Sequence, residues 1–82
     1  MSEEQILQLI AALEQIEQDS SVPKNVRFKV KNAMDMLMNN ELELKLKANK
    51  ALQELDDISN ELNVPSYIWP QIWNAVSLLE RL

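Results

Sequence analysis

The chain alternates apolar and polar positions with the spacing of amphipathic helices, and four such patterns follow one another. The first begins behind Glu3 and Glu4, whose charges suit the positive end of a helix dipole. We predict that it runs to about Asp19, where the polar sequence before Pro23 interrupts the spacing. Its apolar face consists of Ile6, Leu9, Ile10, Leu13 and Ile16.

The second helix is predicted to start at Pro23, because the fixed φ of proline suits the first turn of a helix. It should end at Asn39 and Asn40, since asparagine is the best left-handed cap in a chain that contains no glycine. Its apolar face holds Val26, Val30, Ala33 and Leu37, with Met34 at the edge.

The third helix should end at Asn63, and Val64 and Pro65 then open a fourth segment. Proline inside a helix lacks an N–H donor and clashes with the preceding turn. We therefore expect a break or kink between Pro65 and Pro70, with the regular helix beginning near Pro70. The third apolar face holds Leu44, Ala48, Ala51, Leu52, Leu55, Ile58 and Leu62, and the fourth holds Ile68, Ile72, Ala75, Val76 and Leu79.

A shift of 42 residues superimposes one half of the sequence on the other. It carries the Val-Pro pair at 22–23 onto 64–65 and the Asn-Ala pair at 32–33 onto 74–75. A period near 40 is typical of HEAT and armadillo repeats, which consist of stacked helices. The alternative is that amphipathic helix pairs resemble one another by chance. The shared pairs favour a true pseudo-repeat.

These patterns predict an all-α fold, namely a four-helix up-and-down bundle. Residues 1–82 should form a single domain, because so short a chain closes only one core. Within it, 1–40 and 41–82 would be two pseudo-repeated, HEAT-like hairpins. The core is predicted to contain Ile10, Leu13, Val30, Leu37, Leu52, Leu55, Ile72 and Leu79.

The composition excludes most catalytic chemistry. The 82 residues include no cysteine, histidine or glycine. The chain therefore offers no thiol, no imidazole base and no glycine-rich phosphate loop. A hard-cation site at Asp56, Asp57 and Glu61 is the alternative to simple solvation of these carboxylates, and we favour solvation. We predict that the protein is not an enzyme and binds no cofactor or metal.

The net charge of -5 is unevenly distributed, because residues 24–50 hold seven bases and three acids between acidic flanks. Lys24, Arg27 and Lys31 follow one another at helical spacing on the second helix, and we call them the basic row. We favour the interpretation that this row compensates acidic neighbours within the fold. The alternative is that it contacts the phosphate backbone of a nucleic acid, helped by Phe28.

The amino-terminal sequence carries glutamates in place of the basic residues of a signal peptide. No apolar stretch reaches the 18 residues of a membrane span. We therefore expect a cytoplasmic protein without a membrane partner. No feature of the sequence indicates a small-molecule substrate.

Two tryptophans, Trp69 and Trp73, lie on the shoulder of the fourth apolar face, and Phe28 lies on the polar side of its own helix. Such aromatic residues are often ordinary residues at the edge of a core. Tryptophan is, however, enriched in interface hot spots, and so small a domain has little core of its own. We predict a non-enzymatic helical protein-protein interaction module that self-associates as a homodimer, with these three residues as the candidate interface. The alternative is a nucleic-acid or ribonucleoprotein accessory factor acting through the basic row.

Three motifs recur at the spacing of a known family, and they are residues 22–27, residues 55–61 with 63–65, and residues 72–77 with 79–80. With them the chain resembles a small uncharacterised archaeal protein family of about this length. The resemblance implies a four-helix bundle in the cytoplasm and implies no reaction. The chain departs from the family pattern at Leu62 and at 68–70, so a shared role for the start of the fourth helix is not implied.

Overall fold

The structure is a computed structural model that describes residues 2–82, with side chains from Glu3 onward. Within that range the chain forms four α-helices and no β-strand, which confirms the all-α prediction. The helices are α1 (Ser2–Glu17), α2 (Lys24–Leu37), α3 (Leu44–Ile58) and α4 (Ile68–Glu80).

Each helix packs against its neighbours in the chain, and α1 also packs against α4. The diagonal pairs, α1 with α3 and α2 with α4, have no Cα atoms within 8 Å of each other in residues 2–82. Two side-chain hydrogen bonds place the end of α1 beside the start of α4 and the start of α2 beside the end of α3. The helices therefore alternate up and down around a single core, as predicted.

The core consists of aliphatic residues from all four helices. The predicted core residues that are buried are Leu13, Val30, Leu37, Leu55, Ile72 and Leu79. Ile10 and Leu52 are only partly buried and pack against the rim of the core, so their placement was wrong. Ile10 also lines a cleft at the end of the bundle, which leaves part of its side chain open to solvent.

The expected left-handed asparagine cap is also wrong. No residue in the described range has a positive φ, and α2 ends on Met38 in right-handed conformation at φ -88°. Asn39 instead accepts a hydrogen bond from the backbone N–H of Glu41 on its side-chain oxygen, at 2.9 Å. Asp19 accepts one from the N–H of Ser21 at the same distance. Both turns therefore reverse the chain through a side-chain acceptor and need no glycine.

The third helix ends at Ile58, well before the predicted end at Asn63. Beyond Ile58 the N–H groups of Ser59, Asn60 and Glu61 each bond to the carbonyl three residues back, which is the tighter spacing of a 3₁₀ turn. The hydroxyl of Ser59 also donates to the carbonyl of Asp56, at 2.7 Å. Leu62, which the sequence pattern places on the third apolar face, therefore lies in the loop and is 95% exposed.

The fourth helix begins at Ile68, so the predicted break falls before that residue. Pro70 is the third residue of α4 and does not interrupt it. The first four N–H groups of a helix have no partner within the helix, so the missing donor of Pro70 costs nothing there.

In residues 2–82, two side-chain hydrogen bonds join distant parts of the chain, and the 42-residue shift relates one to the other. The Asn25 amide donates to the Glu61 carboxylate, and the Tyr67 hydroxyl donates to the Asp19 carboxylate, both at 2.7 Å. Adding 42 to 19 and 25 gives 61 and 67, so the two acceptors lie 42 residues apart and so do the two donors. The pseudo-repeat stays a prediction, with which this correspondence is consistent.

Candidate interaction surfaces

Trp69 and Trp73 form a stacked pair on α4, with ring centroids 6.4 Å apart and planes inclined by 30°. Trp69 is half-buried against the core, whereas 62% of Trp73 is exposed. We call this pair the aromatic shoulder. Because Trp69 anchors the pair on the core, Trp73 offers a large apolar ring to solvent at a small cost in side-chain entropy on binding.

The structure does not bring Phe28 to the aromatic shoulder. Phe28 is 65% exposed and lies on α2, which has no contact with α4 in the described part of the chain. The three predicted interface residues therefore lie on two separate sides of one molecule. Phe28 and Trp73 would meet only between two copies.

The basic row keeps two exposed cations, Lys24 and Lys31, whereas Arg27 is half-buried. The Nε of Arg27 is buried and has no hydrogen-bond partner. Across residues 2–82 the only ion pair joins Lys29 to Asp57, at 3.9 Å between Nζ and Oδ2. No carboxylate in that range therefore lies within 4.0 Å of a cation of the basic row, and the expected compensation is not made by direct ion pairs.

A cleft of about 470 Å³ opens at the end of the bundle where α1 begins and α2 turns into α3. Its apolar lining comes from α1, the end of α2 and the following turn, and Leu7 and Met38 at its rim are 63% and 52% exposed. Glu3 and Lys47 supply charge to its edge. Sequence reasoning missed this cleft, because Leu7 and Met38 fall outside the apolar faces of their own helices.

At the opposite end of the bundle, the hydroxyl of Tyr67 donates a hydrogen bond to the carboxylate of Asp19. The hydrogen bond from the Tyr67 hydroxyl is the main cause that lowers the pKa of Asp19 below its ordinary value of 3.8, and the backbone N–H of Ser21 adds to it. The same hydrogen bond to Asp19 raises the pKa of Tyr67 above its ordinary value of 10.0. Tyr67 was not singled out from the sequence, since this bond spans 48 residues and no local pattern signals it.

No three of the acidic residues in the described range come together as a metal site. The alternative cation site at Asp56, Asp57 and Glu61 is therefore not assembled, and Glu61 is hydrogen-bonded to Asn25. No helix in residues 2–82 is long and apolar enough to cross a membrane. Four helices, one aliphatic core and a surface broken by exposed apolar side chains define a small helical-bundle protein.

The chain belongs to the uncharacterised protein family UPF0147, whose model matches residues 1–82. It is 43% identical over 81 residues to a member from Methanosarcina mazei, a match that covers 99% of this chain and 87% of the relative. It is 38% identical to a member from Pyrococcus abyssi, covering 98% of this chain and 94% of that one. The resemblance to an archaeal family is confirmed.

A solved crystal structure of a protein of unknown function superimposes on the chain with a TM-score of 0.97. The two sequences are 38% identical, and the match covers 100% of this chain and 93% of the other. The four-helix fold is therefore the fold of a solved relative. Neither the family description nor this relative names a reaction, a ligand or a partner.

Proposed function

We propose that this protein is a non-enzymatic helical module for protein-protein interaction and that a partner protein docks on the aromatic shoulder. The observation that carries the proposal is Trp73, whose ring is 62% exposed while it stacks on the anchored Trp69. Tryptophan is enriched among the residues that dominate binding energy at interfaces. The absence of histidine and cysteine from the sequence supports a binding role over a catalytic one.

The shoulder fits a partner with an apolar, uncharged surface. The α4 sequence carries no charged residue before Glu80, and the exposed positions beside Trp73 are Pro70, Asn74 and Ser77. A surface without charged side chains binds through shape and the burial of apolar area, so the affinity changes little with ionic strength. Weak dependence on salt therefore distinguishes docking on the shoulder from binding through the basic row.

The packing of α4 also favours this surface. Of the four helices, α4 has the least extensive contacts with the rest of the bundle, and its contact with α3 is smaller than any other between neighbours. A helix that is thinly covered by its own chain gains most from burial against a second protein.

The test is affinity capture from an extract of the native organism, with wild type, Trp73→Ala and Phe28→Ala as baits. Phe28→Ala is the matched control, because it also removes an exposed ring but from the helix diagonally opposite. We expect a protein that wild type and Phe28→Ala retain at high salt and that Trp73→Ala loses. Retention of the same proteins by all three baits would refute docking on the shoulder.

A second candidate function is nucleic-acid binding through the basic row. It is favoured by the exposure of Lys24 and Lys31 and by the lack of ion pairs to the row within residues 2–82. It is opposed by the net charge of -5. Binding of RNA or DNA that weakens steeply with salt, and that is abolished by Lys24→Glu with Arg27→Glu, would support it. A wild type that shifts neither nucleic acid at low salt and micromolar concentration would eliminate it.

A further inference from the structure

The side of α2 that carries the basic row leads directly into the apolar cleft. Lys24, Lys31 and Met38 are spaced by seven residues, which is about two helical turns, so they align along one side of the helix. Met38 lines the cleft. Moving from the cleft along this side, α2 presents the apolar side chain of Met38 and then the cations of the basic row, with Arg27 between the two lysines. We call these cations the positive column.

The facing side of α1 has the same order with the opposite charge. Leu7 and Ile10 line the cleft, and Glu14 and Glu17 follow each of them by seven residues. Moving from the cleft along α1, the chain therefore presents an apolar rim and then two carboxylates, Glu14 and Glu17. We call these two residues the negative column.

The two columns lie side by side, because α1 and α2 run antiparallel and pack together. The end of α1, with Glu14 and Glu17, is level with the start of α2, which carries Lys24 and Arg27. No ion pair within 4.0 Å joins the columns among the described residues. Lys24, Lys31 and Glu14 are exposed, and Arg27 and Glu17 are half-buried, so both columns reach the solvent.

We propose that this face of α1 and α2 is a homodimer interface, with a second copy of the chain as its occupant. A two-fold axis parallel to the helices lays α1 of each copy over α2 of the other. Every negative column then meets a positive column of the second copy, and Leu7 of one copy meets the rim at Met38 of the other. A two-fold axis across the helices would instead lay charged ends over apolar ends.

Charge selects a second copy over other occupants. An anionic peptide or a nucleic acid would match the positive column but would also meet Glu14 and Glu17 of α1. A second copy satisfies both columns at once and also covers the exposed rims of both clefts. The molecule measures 34 × 18 × 17 Å. A broad side thus offers at most roughly 600 Å² in projection, below the roughly 800 Å² that each partner buries in a standard stable interface, which corresponds to a weak dimer.

This dimer goes beyond the proposed function, because it uses α1 and α2 and leaves the aromatic shoulder on α4 outside. Helix α4 lies across the bundle from α2. Each dimer would therefore present two shoulders, and a partner with two or more matching sites would bind with avidity. Failure of the dimer would leave docking on the shoulder untouched, since the two use different helices and different assays.

The test is charge exchange, read by sedimentation velocity over a range of protein concentrations. One variant carries Lys24→Glu with Lys31→Glu, and the other carries Glu14→Lys with Glu17→Lys. A control with the same change in net charge as the first variant, Lys45→Glu with Lys50→Glu, alters exposed lysines of α3 outside the proposed interface.

We expect wild type and the control to dimerise. Each charge-reversed variant alone should have a dissociation constant raised by about tenfold or more, because like charges then face each other. An equimolar mixture of the two variants should dimerise again. In the mixed dimer, each reversed column meets a reversed column of the other chain, and each native column meets a native one.

A wild type that stays monomeric up to about 0.5 mM would overturn the proposal. So would folded variants, checked by circular dichroism, whose mixture stays monomeric. Leu7→Gln gives a reading that does not depend on charge, and Leu62→Gln, in the exposed α3–α4 loop, is its control. Dimerisation of Leu7→Gln with the affinity of wild type would refute the contact between the cleft rims.

Discussion

Replacement of Leu55 by alanine tests the core, because both the apolar spacing and the structure place Leu55 in it. Leu55 lies on α3 with 1% of its side chain exposed, and it belongs to the aliphatic core contributed by all four helices. Alanine removes three carbon atoms, and the core residues around Leu55 fill the resulting cavity only in part. The variant should fold, since the rest of the core is unchanged, but with reduced stability.

The expected loss follows from the burial. Three buried carbons at about 0.8 kcal/mol each give about 2.4 kcal/mol of transfer free energy. The cavity term then raises the loss to about 3 kcal/mol, within the roughly 2–5 kcal/mol found for such replacements. A domain of this size has a free energy of unfolding of about 4–12 kcal/mol, so the change removes a large share of it. The melting temperature should fall by roughly 12–24 °C.

The assay is denaturant unfolding followed by circular dichroism, at one fixed protein concentration so that self-association does not differ between variants. Leu62→Ala is the matched control. It deletes the same atoms from a side chain that is 95% exposed just beyond the same helix. Its unfolding free energy should change by less than about 0.5 kcal/mol.

Two outcomes would refute this reasoning. A loss below about 1 kcal/mol for Leu55→Ala would show that the residue is not enclosed as described. Equal losses for Leu55→Ala and Leu62→Ala would show that α3 continues to Leu62 and buries it, as the apolar spacing alone predicts.

Three further predictions concern the tryptophans of α4 and the hydrogen bond between Tyr67 and Asp19. Trp73→Phe should shift the fluorescence emission to the blue and reduce acrylamide quenching, because the half-buried Trp69 is then the remaining tryptophan. Trp69→Phe should shift the emission to the red and increase quenching, because the exposed Trp73 remains. Equal quenching of the two variants would contradict the different exposure of the two rings. Tyr67→Phe should raise the pKa of Asp19 in a carboxyl NMR titration, because the bond that lowers it below 3.8 is lost, and an unchanged titration would refute the bond. The stability that this bond adds should be complete above about pH 3.8 and should disappear as the pH falls through the lowered pKa, so acid unfolding should separate wild type from Tyr67→Phe only above that range.

The sequence predicts the interior of each helix better than its ends. Val30, Leu37 and Leu55 are buried because apolar spacing reports which side of a helix is covered. The spacing does not report where a helix stops. Leu62 continues the apolar spacing of α3, yet the helix ends at Ile58 and the backbone bonds that follow join residues three apart. Asn39 turns the chain with its side chain, where propensity indicated a left-handed backbone.

The candidate surfaces divide in the same way. The exposed aromatic residues and the basic row are visible from helical spacing, because each lies on a single helix. The cleft and the bond between Tyr67 and Asp19 join segments that are far apart in the chain. Such features depend on how the helices are arranged around one another, which no local pattern encodes.

The predicted 42-residue pseudo-repeat relates the basic row to the aromatic shoulder. Its shift carries Arg27 onto Trp69 and Lys31 onto Trp73, so in a true repeat the basic row and the aromatic shoulder would occupy equivalent places on α2 and α4. These helices lie diagonally across the bundle. In a true repeat, the two halves keep the same core and differ in one flank. This flank carries the basic row on α2 and the aromatic shoulder on α4. Such a division suits a dimer joined through the charged flank that offers its aromatic flank to another protein. The variants with exchanged charges should then lose the dimer while each retains its partner on the shoulder, and loss of both together would refute the division.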